Sequence, residues 1–246
     1  MFSIFKRKHP VVNDFSGLVT DMHSHLLPGI DDGATDPNNS VQLIRGLQEL
    51  GYSKFITTPH IFWDMYRNDP TTIKSAQQNL QTELNKLGMS APLHPAAEYY
   101  MDDHFDELIE LKDPLLTIKD KMVLVEFSFV NAPINYKSQL FRLQISGYQP
   151  ILAHPERYLY MGSDKEIFDE LKSAGCLFQV NLLSLGGYYG KPTQELANYL
   201  LKKNYIDLLG TDLHHLRHLE ALRSSPHIMP AIQSLLQSGQ LLNPGL

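Results

Sequence analysis

Short β-branched runs alternate with segments of helical periodicity along almost the whole chain, and this alternation leaves few folds open. Leu18-Val19-Thr20-Asp21-Met22 reads as the first strand. A helix from Val41 to Leu50 follows, opened by Asp36-Pro37 and closed by Gly51. Lys54–Thr58 is the next strand, and Ile73–Leu87 a long helix stopped by Gly88. Pro92–Tyr99 reads as a third, weaker strand, with a short helix near Phe105–Leu111. Leu115–Ile118 and Met122–Phe127 flank Lys119-Asp120-Lys121, which predicts a hairpin. Tyr136–Ser146 is helical, Pro150–Ala153 a strand, and Ser163 with Glu166 a capping box for the helix ending at Gly175. Leu177–Asn181 and Ile206–Gly210 are strands enclosing a helix from Thr193 to Lys203, and two helices follow, around Leu219 and from Met229 to Leu236.

About seven strand–helix units without a linker or composition break predict an α/β protein built as a single closed barrel. The alternative is an open doubly wound sheet, which usually carries a phosphate-binding glycine loop after its first strand. Neither G-x-G-x-x-G nor G-x-x-x-x-G-K-[ST] occurs here, and Gly186-Gly187-Tyr188-Tyr189-Gly190 reads as a rim loop. The expected division is an N-terminal extension over 1–17 and one domain over 18–246. The extension begins Met1-Phe2-Ser3-Ile4-Phe5-Lys6-Arg7-Lys8-His9, too polar for a signal peptide. It reads as a loosely docked terminus, or as a weak contact with an anionic membrane surface.

Composition narrows the function. A net charge of -6 argues against a nucleic-acid surface. A single cysteine, Cys176, excludes an intramolecular disulfide and fits a reducing cytoplasm. No apolar run is long enough to span a membrane.

The chemistry lies at the strand ends. His23 and His25 flank one residue, so on a strand both imidazoles face one side. Asp31-Asp32-Gly33 follows in the next loop, and His60, Glu98, Glu126 and His154 each close an apolar run. Asp212 and His214 repeat the i, i+2 arrangement at the last strand. Barrel active sites sit at strand C-termini. Imidazole and carboxylate together suit Zn, Mn or Fe, and there are too many donors here for one ion.

These motifs resemble the polymerase and histidinol phosphatase (PHP) superfamily. Residues 21–34, Asp-Met-His-Ser-His-Leu-Leu-Pro-Gly-Ile-Asp-Asp-Gly-Ala, with Ala-His-Pro-Glu-Arg-Tyr at 153–158 and Gly-Thr-Asp-Leu-His at 210–214, closely resemble the bacterial manganese-dependent protein-tyrosine phosphatases of capsule and exopolysaccharide operons. The resemblance implies a distorted (β/α)7 TIM-like barrel with three divalent ions at its mouth, Mn foremost and Fe or Zn as alternatives. It implies one ion on His23, His25, Glu98 and Asp212, a second on Glu98, Glu126 and His154, and a third on Asp32, His60 and His214. Asp32 stands where many relatives, histidinol phosphatases among them, carry His. The implied substrate is a phosphotyrosine protein, a membrane-bound tyrosine autokinase, met in the cytoplasm or peripherally at the inner membrane; oligomers are open.

Several cations in one mouth acidify a water and offset phosphoryl charge. Arg157, three residues after His154, has a planar fork suited to phosphate. Arg157, Glu98 and Asp212 are thus expected to carry catalysis. His215 and His218 read as supporting or surface residues, and His94 and His104 as structural. Tyr66, Arg67, Tyr99, Tyr100, Tyr188 and Tyr189 could shape an aromatic rim. A cysteine phosphatase needs C-x5-R, but six residues after Cys176 stands Leu182. Two other readings are a PHP phosphatase of a small metabolite such as histidinol phosphate, and a metal-binding regulatory domain without turnover.

Overall fold

The computed structural model describes residues 13–246, so the basic start of the chain lies outside it. The chain runs β1 (Thr20–Asp21), α1 (Pro37–Glu49), β2 (Lys54–Thr57), β3 (His60–Ile61), α2 (Pro70–Lys86), β4 (Leu93–Pro95), β5 (Glu98–Tyr100), α3 (Asp103–Leu111) and β6 (Met122–Glu126). It continues with α4 (Tyr136–Ile145), β7 (Gln149–Ala153), α5 (Glu166–Ser173), β8 (Leu177–Asn181), α6 (Leu182–Leu185), α7 (Lys191–Lys202), β9 (Leu208–Gly210), α8 (Leu216–Ser224) and α9 (Ile228–Ser238).

Among the described residues, every pairing between strands is parallel. One sheet orders β1-β2-β4, the other β3-β5-β6-β7-β8-β9. β2 and β3 are two halves of one stave, interrupted at Thr58-Pro59, and Pro59 has no N–H to give a ladder. β4 and β5 are likewise halves of a stave interrupted at Ala96-Ala97. Counted this way the described residues form seven staves. The ring closes where a parallel bridge joins Ser24 to Leu213, with His25 N donating to Leu213 O at 3.0 Å and Asp212 N to His23 O at 2.8 Å. The buried Asp21 carboxylate adds a side-chain tie, accepting from Thr211 Oγ1 at 2.8 Å. This is the expected distorted (β/α)7 barrel.

The period-two alternation of the staves sorts side chains into two layers. Val123, Val125, Leu152, Phe178, Val180 and Leu209 face the helices in the larger core. Leu124, Ile151, Ala153, Leu208, Met22 and Ala96 fill the barrel interior as a separate apolar plug. Two residues onward along the same inward rows come Glu98 after Ala96 and Glu126 after Leu124. The plug is thus a floor on which the polar mouth stands.

Several local expectations need correction. Pro92–Tyr99 is two strands in two sheets, not one. The hairpin around Lys119-Asp120-Lys121 reduces to a single antiparallel bridge, Lys119 to Met122. Leu115 and Leu116 instead donate their N–H groups to the hydroxyls of Tyr148 and Tyr99, at 3.2 and 2.8 Å. The capping box fails because Ser163 Oγ donates to Tyr160 O, while Asp164 Oδ1 receives Glu166 N. α2 starts three residues earlier than its apolar pattern, at a true capping box on Asp69 and Thr72. The first strand is shorter because Ser16–Leu18 is a 3-10 turn and Val19 takes φ 64°. Phe15 is buried in the main core, so packing begins before residue 18.

Candidate metal centre

The staves deliver His23 and His25 past β1, His60 on β3, Glu98 on β5, Glu126 at the end of β6, His154 after β7, and Asp212 and His214 after β9. His154 and Asp212 take left-handed backbone, φ 33° and 50°. Non-glycine residues there cost about 1–3 kcal/mol each, a strain that clusters at functional sites. His23, His25 and Glu98 are fully buried, and His154, Asp212 and Glu126 nearly so.

Donor atoms lying within 4.8 Å of one another form four overlapping groups: His25, Asp32, His60 and His214; His23, His25 and Asp212; His23, Glu98 and His154; and His60, Glu98 and Glu126. All nine residues singled out as ligands in the sequence therefore converge. The grouping differs from the implied partition. His25 also meets the Asp32 group, and Glu126 lies nearer His60 (2.9 Å to Nδ1) than His154 (4.0 Å to Nε2). Asp32 Oδ1 sits 3.5 and 3.6 Å from His60 and His214, on a half-exposed side chain at the rim.

The donor set fits cations on geometric grounds. His23 Nδ1 is 2.7 Å from Gln179 Oε1 and His25 Nδ1 is 2.8 Å from Asp31 Oδ2. Both outer nitrogens must carry hydrogen to make these bonds, so in the neutral imidazoles, the form that ligates a cation, both Nε2 atoms present lone pairs. Those two Nε2 atoms face each other at 3.4 Å. Glu98 Oε2, fully buried, lies 3.2 Å from His23 Nε2, 3.4 Å from His25 Nε2 and 3.2 Å from His60 Nδ1, yet has no hydrogen-bond partner. Atoms sharing a cation at ordinary ligand lengths stand roughly 3.0–3.4 Å apart. Burial works to raise the Glu98 carboxyl, but the charges of His23 and His60 and the His154 hydrogen bond outweigh it and hold it well below the usual carboxylate range. For His60, burial works downward, and the Glu126 and Glu98 carboxylates overcome it to lift the imidazole to about 9.

Residues that sequence reasoning did not assign surround this centre. Asp31, quoted beside Asp32 in the motif, is the partner of His25 and also accepts from Gly33 N and His60 N. A Cβ on Gly33 would lie 2.3 Å from His25 O, so only glycine lets this loop lie against the histidine. Strand β8 supplies Gln179 and Asn181 as a polar pair; their i, i+2 spacing at a strand tip was the available signal. Asn181 Nδ2 donates to Asp212 Oδ2 at 2.7 Å, and Asn181 N to the buried Glu156 Oε1, which also receives Ser184 Oγ.

Arg157 stands at the mouth with Nη1 3.2 Å from Asp212 Oδ2. Its guanidinium carbon lies over the rings of Phe129 (4.5 Å to the centroid) and Tyr189 (4.3 Å). Two rings this close restrict its rotation and favour cation–π attraction. These residues with Asp32, His60, Glu126, His154, Asp212, His214, His215 and His218 line a cleft of about 260 Å³. His218 is buried on this wall, and burial with the neighbouring His215 charge holds its imidazole down to about 4.

Other candidates fall elsewhere. Tyr66 stacks on His60 with ring centroids 5.6 Å apart, but Tyr99 is fully buried under Leu116 and shapes no rim. Arg67 bonds Trp63 O, His94 bonds Thr117 O, and His104 stacks on Trp63. Cys176 is buried, and burial pushes its thiol up to about 12.

Comparison with known proteins agrees with this geometry. The profile of the capsular polysaccharide synthesis family CpsB/CapC matches residues 19–237. The tyrosine-protein phosphatase YwqE of Bacillus subtilis (strain 168) is 32% identical over 80% of this chain and 78% of its own. CapC of Staphylococcus aureus is 29% identical over 91% of both chains. Among solved structures, one described with YwqE from Bacillus subtilis and CpsB from Streptococcus pneumoniae, as unique metal-dependent tyrosine phosphatases, superposes with a TM-score of 0.78 at 27% identity, covering 92% of this chain and 90% of that one. A lactonase from Listeria monocytogenes, at TM-score 0.53 and 10% identity, shares the fold alone. With the profile spanning most of the sequence and YwqE this similar, the chain belongs to the CpsB/CapC family of capsular polysaccharide synthesis.

Proposed function

We propose that this protein is a metal-dependent protein-tyrosine phosphatase that hydrolyses phosphotyrosine in the service of capsule or exopolysaccharide synthesis. The observation that carries the reading is the buried Glu98 Oε2, without a hydrogen-bond partner and ringed by imidazole nitrogens, one step below a mouth that holds Arg157. His23, His25, Asp32, His60, Glu98, Glu126, His154, Asp212 and His214 would hold three divalent ions, Mn foremost, with Fe or Zn as alternatives. Such ions supply Lewis acidity toward water and positive charge toward phosphoryl oxygens.

The chain's own residues do the rest. Arg157 binds a phosphoryl oxygen through the edge of its fork not turned to Asp212, and Phe129 and Tyr189 keep that fork in plane. Among the described residues, the cleft is lined by no Ser, Thr or Cys; with its carboxylates and most of its imidazoles assigned to the ions, the nucleophile on this reading is water. A tyrosine leaving group has a pKa of about 10 and needs less proton assistance than an alkyl alcohol. The small cleft fits the reacting end of a protein substrate whose remainder stays outside. The substrate we favour is a membrane-bound tyrosine autokinase, met at the cytoplasmic face. No described helix is long and apolar enough to cross a membrane.

The test compares a phosphotyrosine peptide, p-nitrophenyl phosphate and histidinol phosphate after Mn loading. Turnover of the two aryl phosphates is expected. A preference for histidinol phosphate overturns the reading in favour of a metabolite phosphatase, and metal uptake without turnover overturns it in favour of a regulatory domain.

A further inference from the structure

Strand β8 sends no ligand into the centre. Its two inward polar residues, Gln179 and Asn181, are instead fully buried amides beneath it. They form one directional chain. Asn181 Nδ2 donates to Asp212 Oδ2 at 2.7 Å. A carboxylate only accepts, so Asn181 must turn its nitrogen there and keep its oxygen for the other side. That oxygen receives Gln179 Nε2 at 2.9 Å. Gln179 therefore has only its own oxygen left for His23 Nδ1, 2.7 Å away. An amide oxygen cannot donate, so His23 Nδ1 must be the N–H. Each link dictates the next, and the polarity starts at Asp212.

We propose that Gln179 and Asn181 are positioning residues that set the tautomer of His23, so that its Nε2 lone pair faces Glu98, His25 and Asp212. The inference rests on the metal-centre reading and adds to it a reason why His23 enters by Nε2. It also separates the two oxygens of Asp212. Oδ2 is engaged by Asn181 and Arg157, which leaves Oδ1 for the face where His23, His25 and His214 nitrogens lie at 3.3–3.6 Å. A separate observation supports the same contact. A Cβ on Gly210, the last residue of β9, would stand 2.7 Å from both Gln179 Nε2 and His23 Cβ. The neighbouring stave thus gives up its side chain where the amide meets the imidazole.

The experiment uses the full chain, stripped of metal and titrated with Zn(II) and Mn(II) by chelator competition. Gln179→Leu removes both bonds, whereas Gln179→Glu keeps an acceptor for His23 Nδ1–H and removes only the donor to Asn181. Outer partners of metal-bound histidine are worth about 10–100-fold in affinity. That loss is expected for Gln179→Leu, with most of it recovered in Gln179→Glu. Nitrogen-15 NMR of the zinc-loaded protein gives a readout that a merely structural role would not move. The exchange-protected His23 Nδ1–H resonance should be present in wild type and Gln179→Glu and absent in Gln179→Leu. Unchanged affinity with a protected Nδ1–H in Gln179→Leu overturns the proposal, as does a Gln179→Glu protein as weak as Gln179→Leu. Should Gln179→Leu fail to fold by circular dichroism, Gln179→Glu decides, since loss of its Nδ1–H resonance overturns the proposal and persistence supports it. A wild type that binds neither cation refutes the metal centre itself, and so the inference resting on it.

Discussion

Replacing Arg157 by alanine should cost activity without costing metal, and the structure says why the two separate. Arg157 reaches Asp212 Oδ2 at 3.2 Å, but the same oxygen is held independently by Asn181 Nδ2 at 2.7 Å. Losing the guanidinium therefore leaves Asp212 oriented and the donor cluster beneath it intact. What disappears is a cation, held against two rings and about a quarter exposed, at the place a phosphoryl oxygen enters. A hydrogen bond to a charged group is worth about 1.5–3 kcal/mol, or roughly ten- to a hundredfold in kcat/KM at 1.4 kcal/mol per decade. A contact equal in ground and transition states raises KM alone, whereas one that tightens as charge develops lowers kcat as well. Arg157→Lys restores charge without the flat fork that Phe129 and Tyr189 enclose, so it should recover only part of the loss. Glu98→Ala is the contrast: it removes the carboxylate shared among His23, His25, His60 and His154, and should lose both metal and more activity than Arg157→Ala. The assay is kcat/KM on p-nitrophenyl phosphate with elemental analysis of each variant. If Arg157→Ala sheds metal, or keeps full activity toward aryl phosphates, the reasoning is wrong.

Exhaustive chelation should abolish turnover and Mn should restore it; undiminished activity in protein verified metal-free by elemental analysis would contradict this. Cys176→Ala should keep near-normal activity, and a hundredfold loss in kcat with intact circular dichroism would revive a thiolate mechanism. Burial raises the Cys176 thiol from an ordinary 9.0 to about 12, so its contribution to stability is complete below pH 9 and is lost between pH 9 and 12, at about 1.4 kcal/mol per pH unit. Denaturant unfolding at pH 8 and 11 should accordingly show a smaller alkaline loss in Cys176→Ala than in wild type. Gly33→Ala would drive a methyl into His25, and overpacking of this kind costs about 1–3 kcal/mol. At about 2–4 °C per kcal/mol, a melting temperature lowered by several degrees is expected, and an unchanged melt would show the loop to be more yielding than its contacts suggest.

The sequence made some features legible and hid others for identifiable reasons. His23 with His25, and Asp212 with His214, could be read because a strand puts i and i+2 on one side and both pairs ended apolar runs. Glu98 and Glu126 could be read because a carboxylate closing a buried run stands out. Gln179 and Asn181 have the same spacing, but amides are ordinary in strands and nothing in the sequence distinguishes a buried one that orients a histidine. The break at Ala96-Ala97 was invisible because Pro92–Tyr99 remains extended on both sides of it. The hairpin at Lys119-Asp120-Lys121 was misread because two tyrosine hydroxyls, distant in sequence, took the N–H groups that a second strand would have paired. Arg157 was singled out by its motif, but its aromatic enclosure joins Phe129 and Tyr189 from two other loops.

The seam between β1 and β9 has a consequence in time. Asp21 and Thr211, which fasten it, lie 190 residues apart in sequence. At a synthesis rate of about 5–20 residues per second, that distance takes roughly 10–40 s to emerge. Asp212 and His214 emerge almost 190 residues after His23 and His25, so a nascent chain lacks two of the nine donors until the last stave is made. Two of the four donor groups are completed only by Asp212 or His214, so full cation loading belongs after the final stave has docked. A truncation that removes that stave takes Asp212 and His214 from two of the four donor groups and opens the seam of the ring, while His23, Glu98 and His154, and His60, Glu98 and Glu126, remain on the other staves.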